Sequence, residues 1–290
     1  MEKTNDIIRG FDKAGYILNE ELATILFLSQ ELGKPLLLEG NPGVGKTTVA
    51  KSLAAYRDTK LIRLQCYEGL DVSSAIYEWN YQKQLLNIKM HENDENTGVV
   101  AKEIFSMEYL LQRPILQSIT NEDGPVVLLI DEVDRADEEF EAYLLEILSD
   151  FQVSIPEIGT VKARHIPLVI LTSNRTRELS DALKRRCLYH WLDYPDQEAE
   201  VKIILKRLPE LKENLAKQVV NVVHELRQMK LNKVPGIAES LDWAKTLLVM
   251  NYEGLTGESI SKTIGVLLKN AEDIRKIDGE VLNLLEEIAQ

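Results

Sequence analysis

Apolar positions along the chain change rhythm once, near Pro195. Before that point short apolar runs alternate with stretches of helical spacing; after it only helical spacing remains. "KPLLLEG", "KLIRLQC", "PVVLLID" and "IPLVILTSN" are the runs. Each has strand length and is bounded by turn or polar residues, as fully buried strands are. "NEELATILFLSQELGK" instead places Leu22, Ile25, Leu26 and Ser29 at helical spacing, with Asn19 as cap and Gly33 as stop. "TTVAKSLAAYR" continues as a helix out of a glycine-rich turn, and "EEFEAYLLEILSD" puts Phe140, Tyr143, Leu144, Ile147 and Leu148 on one face. Apolar strands alternating with helices predict an α/β fold, a parallel sheet flanked by helices.

From Gln197 onward the strands stop. "ENLAKQVVNVVHELRQM" aligns Leu215, Val219, Val222, Val223, Leu226 and Met229 on one side of a helix. Two domains are therefore expected, residues 1–195 with the sheet and residues 196–290 all helical. The stretch "HENDENTG", residues 91–98, reads as a solvated insertion.

Composition narrows the function classes. With 44% hydrophobic and 28% charged residues, the 290-residue chain is of ordinary globular type. Its 47 acidic residues against 34 basic ones give a formal charge of −13, which leaves no general basic face for nucleic acid or an anionic membrane. Cys66 and Cys187 stand far apart without CxxC spacing, and His91, His165, His190 and His224 share no ligand spacing. Reduced thiols and no protein-bound zinc are expected. The N-terminal "MEKTNDIIRG" has no apolar signal core and no run approaches a membrane span, so a cytoplasmic location is expected.

The chemistry begins at "GNPGVGKT", which fits G-x-x-x-x-G-K-[ST] between a strand and a helix. Gly40, Asn41, Pro42, Gly43, Val44, Gly45, Lys46, Thr47 and Thr48 are the expected phosphate-binding residues. Gly43 and Gly45 let backbone N–H groups curl around phosphate oxygens at a helix N-terminus. Lys46 is expected between the β- and γ-phosphates of ATP, and Thr47 offers its hydroxyl to Mg²⁺. "VVLLIDE" then delivers Asp131 and Glu132 at the carboxyl end of a buried strand, where ligands of open α/β sheets bind. Asp131 is expected in the Mg²⁺ shell, and Glu132 is placed to activate an attacking water. "LVILTSN" ends in Asn174, whose amide suits the γ-phosphate or that water. Its strand is expected between the two just described.

"DALKRRCLYHWLDYPD" closes a short helix on two adjacent arginines, Arg185 and Arg186. Taken alone they fit either helix capping and salt bridges or a catalytic task. In order, the motifs (phosphate loop, acidic strand, asparagine strand, paired arginines, helical end) resemble the AAA+ ATPases. More narrowly, "LLLEGNPGVGKTTVAKSLA", "LLIDEVDRADEEFEAYLLEILSDFQVSIPEIGTVKA" and "TSNRTRELSDALKRRCLYHWLDYP" resemble the MoxR family, and "QCYEGLDVSSAIYEWNYQKQLL" is similar to its CoxD-type members.

The resemblance implies an AAA+ module with a C-terminal helical lid, assembled into hexameric rings with ATP between subunits. It implies that Arg185 or Arg186 serves a neighbouring copy's ATP as an arginine finger, with Arg135 a second intersubunit candidate. It also implies a von Willebrand A-domain adaptor and a metalloenzyme client, such as the molybdenum hydroxylase carbon monoxide dehydrogenase. "VSIPEIGTVKARHIPLVI" would form a hairpin insertion, and "GLDVSSAIYEWNYQKQLL" a second one whose Tyr77, Trp79 and Tyr81 either meet a client or pack internally. One departure stands out: where many lids carry an arginine that reaches the nucleotide, this chain has Ala238, with Lys233 nearby. The expected function is a Mg²⁺-dependent ATPase that remodels a protein client. A nucleic-acid motor subunit and an ATP-gated scaffold are the competing readings.

Overall fold

A computed structural model describes residues 2–91 and 104–289; most of the expected solvated insertion, residues 92–98, lies outside the described residues. In chain order the elements are α1 (Glu2–Lys13), α2 (Glu20–Leu32), β1 (Leu36–Gly40), α3 (Lys46–Tyr56), β2 (Leu61–Gln65), α4 (Val72–Ala75), β3 (Tyr77–Trp79), α5 (Tyr81–Met90), β4 (Leu110–Gln112) and α6 (Pro114–Thr120). There follow β5 (Val127–Asp131), α7 (Glu138–Asp150), β6 (Gln152–Ile155), β7 (Gly159–Lys162), β8 (Leu168–Ser173), α8 (Asp181–Arg186) and β9 (Leu188–Leu192). The rest is helical: α9 (Gln197–Arg207), α10 (Glu213–Gln228), α11 (Ile237–Val249), α12 (Gly257–Leu267), α13 (Ala271–Arg275) and α14 (Gly279–Ala289).

Two compact units emerge. One comprises Met1–Ile7, Glu20–Glu39 and Ala50–His190; the other comprises Ile8–Asn19, Gly40–Val49 and Trp191–Gln290. The phosphate loop and an N-terminal segment group with the helical part.

The first unit holds the apolar runs. The five-stranded sheet has the order β2-β5-β8-β1-β9. β1 runs parallel to β8, β8 to β5 and β5 to β2. The asparagine strand β8 therefore lies between β1 and β5, as expected. Both β1 and β5 are buried along their whole length, which is why they read as unbroken apolar runs. Phe140, Leu144, Ile147 and Leu148 of α7 enter the core.

Tyr143 is a correction. It lies 49% exposed, and Glu141 takes a buried position instead, 2.5 Å from Arg177 Nη1 and accepting from the Ser180 N–H at 2.9 Å. A carboxylate so buried is stable only when paired, and no hydrophobic count reveals its partner. The two insertions form small antiparallel pairs, β3–β4 and the hairpin β6–β7. Trp79 packs in the core, edge-on to Tyr77 at 6.3 Å and to Phe105 at 5.4 Å, while Tyr81 is 63% exposed. Internal packing thus accounts for two of the three alternating aromatics. Cys66 and Cys187 are free thiols. Burial pushes both up to about 12, with Asp131, Asp134 and Glu132 adding to the effect at Cys66. Neither is a ready thiolate.

The second unit has its own core of Ile204, Val219, Val223, Leu226, Trp243 and Ile260 with their neighbours. At its centre a fully buried Glu200 accepts two hydrogen bonds from Arg227, at 2.6 and 2.8 Å, one from Ser240 at 2.7 Å, and lies 3.1 Å from His224 Nε2. Burial alone would raise its pKa, but these hydrogen bonds and the Arg227 charge outweigh it and hold the carboxyl below the ordinary glutamate range. Among the described residues no helix is long and apolar enough to cross a membrane.

Candidate active site

In the first unit, β5 and β8 bring Asp131, Glu132 and Asn174 to one edge of the sheet. Asp131 is buried. Its Oδ1 accepts from Thr172 Oγ1 at 2.6 Å, and its Oδ2 accepts from Arg63 Nη2 at 2.6 Å and Nε at 3.0 Å. Thr172 also accepts the Glu132 N–H at 2.9 Å, so one hydroxyl on β8 orients both acidic residues of β5.

Glu132 sits just past the strand in the left-handed region, φ +55°, a conformation that costs a non-glycine residue free energy. Its carboxylate is held from three directions. Gln65 Nε2 donates to Oε2 at 3.1 Å, Asn174 Nδ2 donates to Oε1 at 3.4 Å, and Arg135 Nε lies 3.3 Å from Oε2. Arg135 is thus an ion-pair partner of the candidate base within its own chain. The loops that follow are tied together as well: the Thr176 N–H and Oγ1 donate to Asp134 Oδ2 at 2.8 and 2.7 Å.

Beside this, Glu39 at the end of β1 is a buried carboxylate. Ser173 donates to it at 3.1 Å and the Tyr189 hydroxyl at 3.2 Å, with Arg175 Nε 3.9 Å away. Burial, and then the Glu39 charge, push the Tyr189 hydroxyl up in pKa, which keeps it a donor. Gln65, Thr172, Arg63 and Glu39 were not foreseen. The available signal was that Gln65, Thr172 and Glu39 are polar residues at or next to the carboxyl ends of otherwise apolar strands, and that Arg63 interrupts β2 in its middle.

In the second unit lies the loop itself. Gly43 and Gly45 adopt φ +80° and +97°, which L side chains rarely do, and α3 begins at Lys46. Lys46 is buried, its Nζ donating to the carbonyls of Gly40 at 2.7 Å and Asn41 at 2.9 Å. Val44 is buried, whereas Asn41, Pro42 and Gly43 are exposed. Of the lid stretch, Lys233 is exposed and Ala238 lies in the first turn of α11; the Ile237 N–H reaches the loop, donating to the Gly43 carbonyl at 3.0 Å.

The profile of the "ATPase family associated with various cellular activities (AAA)" matches residues 36–191, more than half of the chain, with the whole loop and all of the five-stranded sheet but Leu192. The chain belongs to that family. This AAA ATPase is 25% identical over 210 residues to the gas vesicle ATPase GvpN of Haloferax mediterranei, covering 68% of this chain and 58% of that protein. It is 28% identical over 254 residues to the uncharacterized protein SH1500 of Staphylococcus haemolyticus, covering 80% and 84%. The chain thus spans 58% of the length of that gas vesicle relative. Among solved structures it is similar to a point mutant of RuvB from Thermotoga maritima, at 19% identity and a TM-score of 0.52, over 90% of this chain and 70% of that one. That likeness is one of fold.

The family hydrolyses ATP with Mg²⁺ as its usual cofactor, and the residues fit both. The loop offers left-handed glycines and a lysine at a helix start. Thr47 in the second unit and Asp131 in the first each carry a hard oxygen donor of the kind Mg²⁺ prefers.

The structure distinguishes the paired arginines of this AAA ATPase. Arg186 donates through Nε to Ser149 Oγ at 2.6 Å and through Nη1 to the Ala182 carbonyl at 3.1 Å. Arg185 is exposed, and its side chain has no hydrogen-bond or ion-pair partner among the described residues. Adjacent residues on a helix project about 100° apart, so the two side chains leave α8 in different directions, and Arg186 is the one that meets α7.

Proposed function

We propose that the chain is a ring-forming AAA+ ATPase that uses ATP hydrolysis to remodel a protein client, with Arg185 acting on a neighbouring copy's nucleotide. The observation that carries this is the contrast between Arg185 and Arg186. An unanchored guanidinium at the end of α8 is available to another subunit, whereas the anchored Arg186 stiffens the helix that presents it. The charge that spreads over a γ-phosphate in transit is what such a guanidinium stabilises.

Within one chain, Gly40 to Thr48 bind the triphosphate through backbone N–H groups and Lys46. Thr47 and Asp131 are the residues that would hold Mg²⁺, which when bound neutralises charge on the phosphates. Glu132 accepts the proton of the attacking water and Asn174 helps orient that water. Gln65 and Arg135 keep the carboxylate in position, and Thr172 holds the Glu132 backbone N–H.

The MoxR-type, CoxD-like resemblance supports a metalloenzyme under maturation, such as a molybdenum hydroxylase, as the client. It also supports a von Willebrand A-domain adaptor. The formal charge of −13 weighs against a nucleic-acid motor. Light scattering of Glu132→Gln with ATP tests the assembly: a ring that persists while hydrolysis is largely lost supports the proposal. A monomer under every condition with undiminished turnover would sink it.

A further inference from the structure

A phosphate loop binds through its N–H groups, so what fixes the direction of its peptide planes fixes its affinity. In a trans peptide the carbonyl and the following N–H share one plane and point opposite ways. The Gly43 carbonyl accepts the Ile237 N–H at 3.0 Å, and the Pro42 carbonyl receives a long bond, 3.4 Å, from the Tyr194 hydroxyl. Anchoring those two carbonyls turns the N–H groups of Val44 and Gly43 to the opposite side. Neither of these N–H groups has an acceptor among the described residues.

The approach is closer than any side chain would permit. A Cβ added at Gly236 would lie 2.8 Å from Gly43 Cα, and one added at Gly43 would lie 3.0 Å from Gly236 Cα. Behind this contact the Gly236–Ile237 turn is well supported. Glu239 caps α11 by accepting the Gly236 N–H at 3.0 Å, and Arg227 Nε donates to the Pro235 carbonyl at 2.9 Å. The Arg227 guanidinium also stacks on the Tyr194 ring at 4.3 Å and is held by Glu200.

We infer that the Gly236–Ile237 turn is a backbone latch on the phosphate loop, a positioning element that sets how tightly this chain holds ATP. It occupies the place where the sequence shows no lid arginine, and it works without a side chain reaching the nucleotide. Latching and nucleotide binding favour each other by linkage. The inference rests on ATP binding by the loop and is independent of the ring and the client.

Two variants test it. Ile237→Pro removes the latching N–H and sets the ring Cδ where that hydrogen pointed, so the Gly43 carbonyl is both undonated and displaced; the helix itself tolerates the change, since Ile237 is the first residue of α11 and Gly236 before it is already extended. Gly236→Ala inserts the methyl group that the contact excludes. Binding of a non-hydrolysable ATP analogue and steady-state ATPase rates are measured, with Gly265→Ala, where a methyl meets nothing within 4 Å, as control. The expected result is analogue affinity and KM weakened about tenfold or more in both variants, with kcat at saturating ATP within about threefold, and the control unchanged. Wild-type affinity in folded Ile237→Pro would overturn the latch. So would a fall in kcat with KM unchanged. Should Gly236→Ala not fold, Ile237→Pro alone decides.

Discussion

The phosphate loop is held through its backbone, with Ile237 N–H on one carbonyl and Lys46 on two others, whereas the acidic edge is held through side chains. At that edge Gln65, Asn174 and Arg135 surround Glu132, and Thr172 and Arg63 fix Asp131. The difference follows from the two tasks. Gripping phosphate needs many weak donors in a fixed array, which peptide planes and glycines supply. Activating water needs one carboxylate at one angle, which only a polar side-chain cage can hold. Damage to the first region should therefore appear in KM, and damage to the second in kcat.

The largest expected effect that separates them is Glu132→Gln. Loss of a general base typically costs about 10²–10⁴ in rate, so kcat should fall by that order while analogue affinity stays within a few-fold. A parallel loss of affinity would break the comparison. Next in size is Glu200→Leu, which leaves Arg227 buried without its carboxylate; breaking a buried ion pair costs roughly 3–5 kcal/mol. Thermal or denaturant melting should show the helical unit destabilised by that order.

The same residue predicts a pH dependence. The folded Glu200 carboxyl titrates below its unfolded value, so the unfolded chain takes up the proton first as pH drops. Its stabilisation is intact above the ordinary glutamate pKa of about 4.3 and is lost as pH falls from there through the folded value. The acid limb of the melting profile should flatten in the variant; an unchanged limb would assign the acid sensitivity elsewhere.

Smaller is Gln65→Leu, which removes one donor from Glu132. A hydrogen bond to a charged group contributes about 1.5–3 kcal/mol net, so kcat should drop by roughly ten- to a hundredfold with KM unmoved. Smallest is Tyr143→Ser on the exposed side of α7, where surface substitutions usually stay within about 0.5 kcal/mol. A large loss of stability there would restore Tyr143 to the core.

What the chain revealed in advance was whatever its periodicity or motif spacing encodes. Buried parallel strands leave apolar runs, so β1, β5 and β8 and the residues at their ends were readable. Side-chain partners distant in sequence leave no period, so the roles of Gln65, Thr172 and Glu39 were not. Helical spacing marked a face of α7 but could not say that Glu141, paired with Arg177, goes in and Tyr143 stays out. That Arg186 is anchored and Arg185 is not was likewise closed to the sequence, because the anchor is Ser149, a residue on another helix. The close approach of Gly43 to Gly236 is announced by no local pattern.

Subunit mixing tests the central claim most directly. Arg185→Ala and Glu132→Gln chains are each assayed alone and then combined. An arginine finger contributes about 10³–10⁵ in rate, so each variant alone should be nearly inactive. If Arg185 serves its neighbour, some interfaces in the mixture pair an intact Glu132 with an intact Arg185, and activity reappears. A mixture no more active than its components, with assembly intact, would contradict the account.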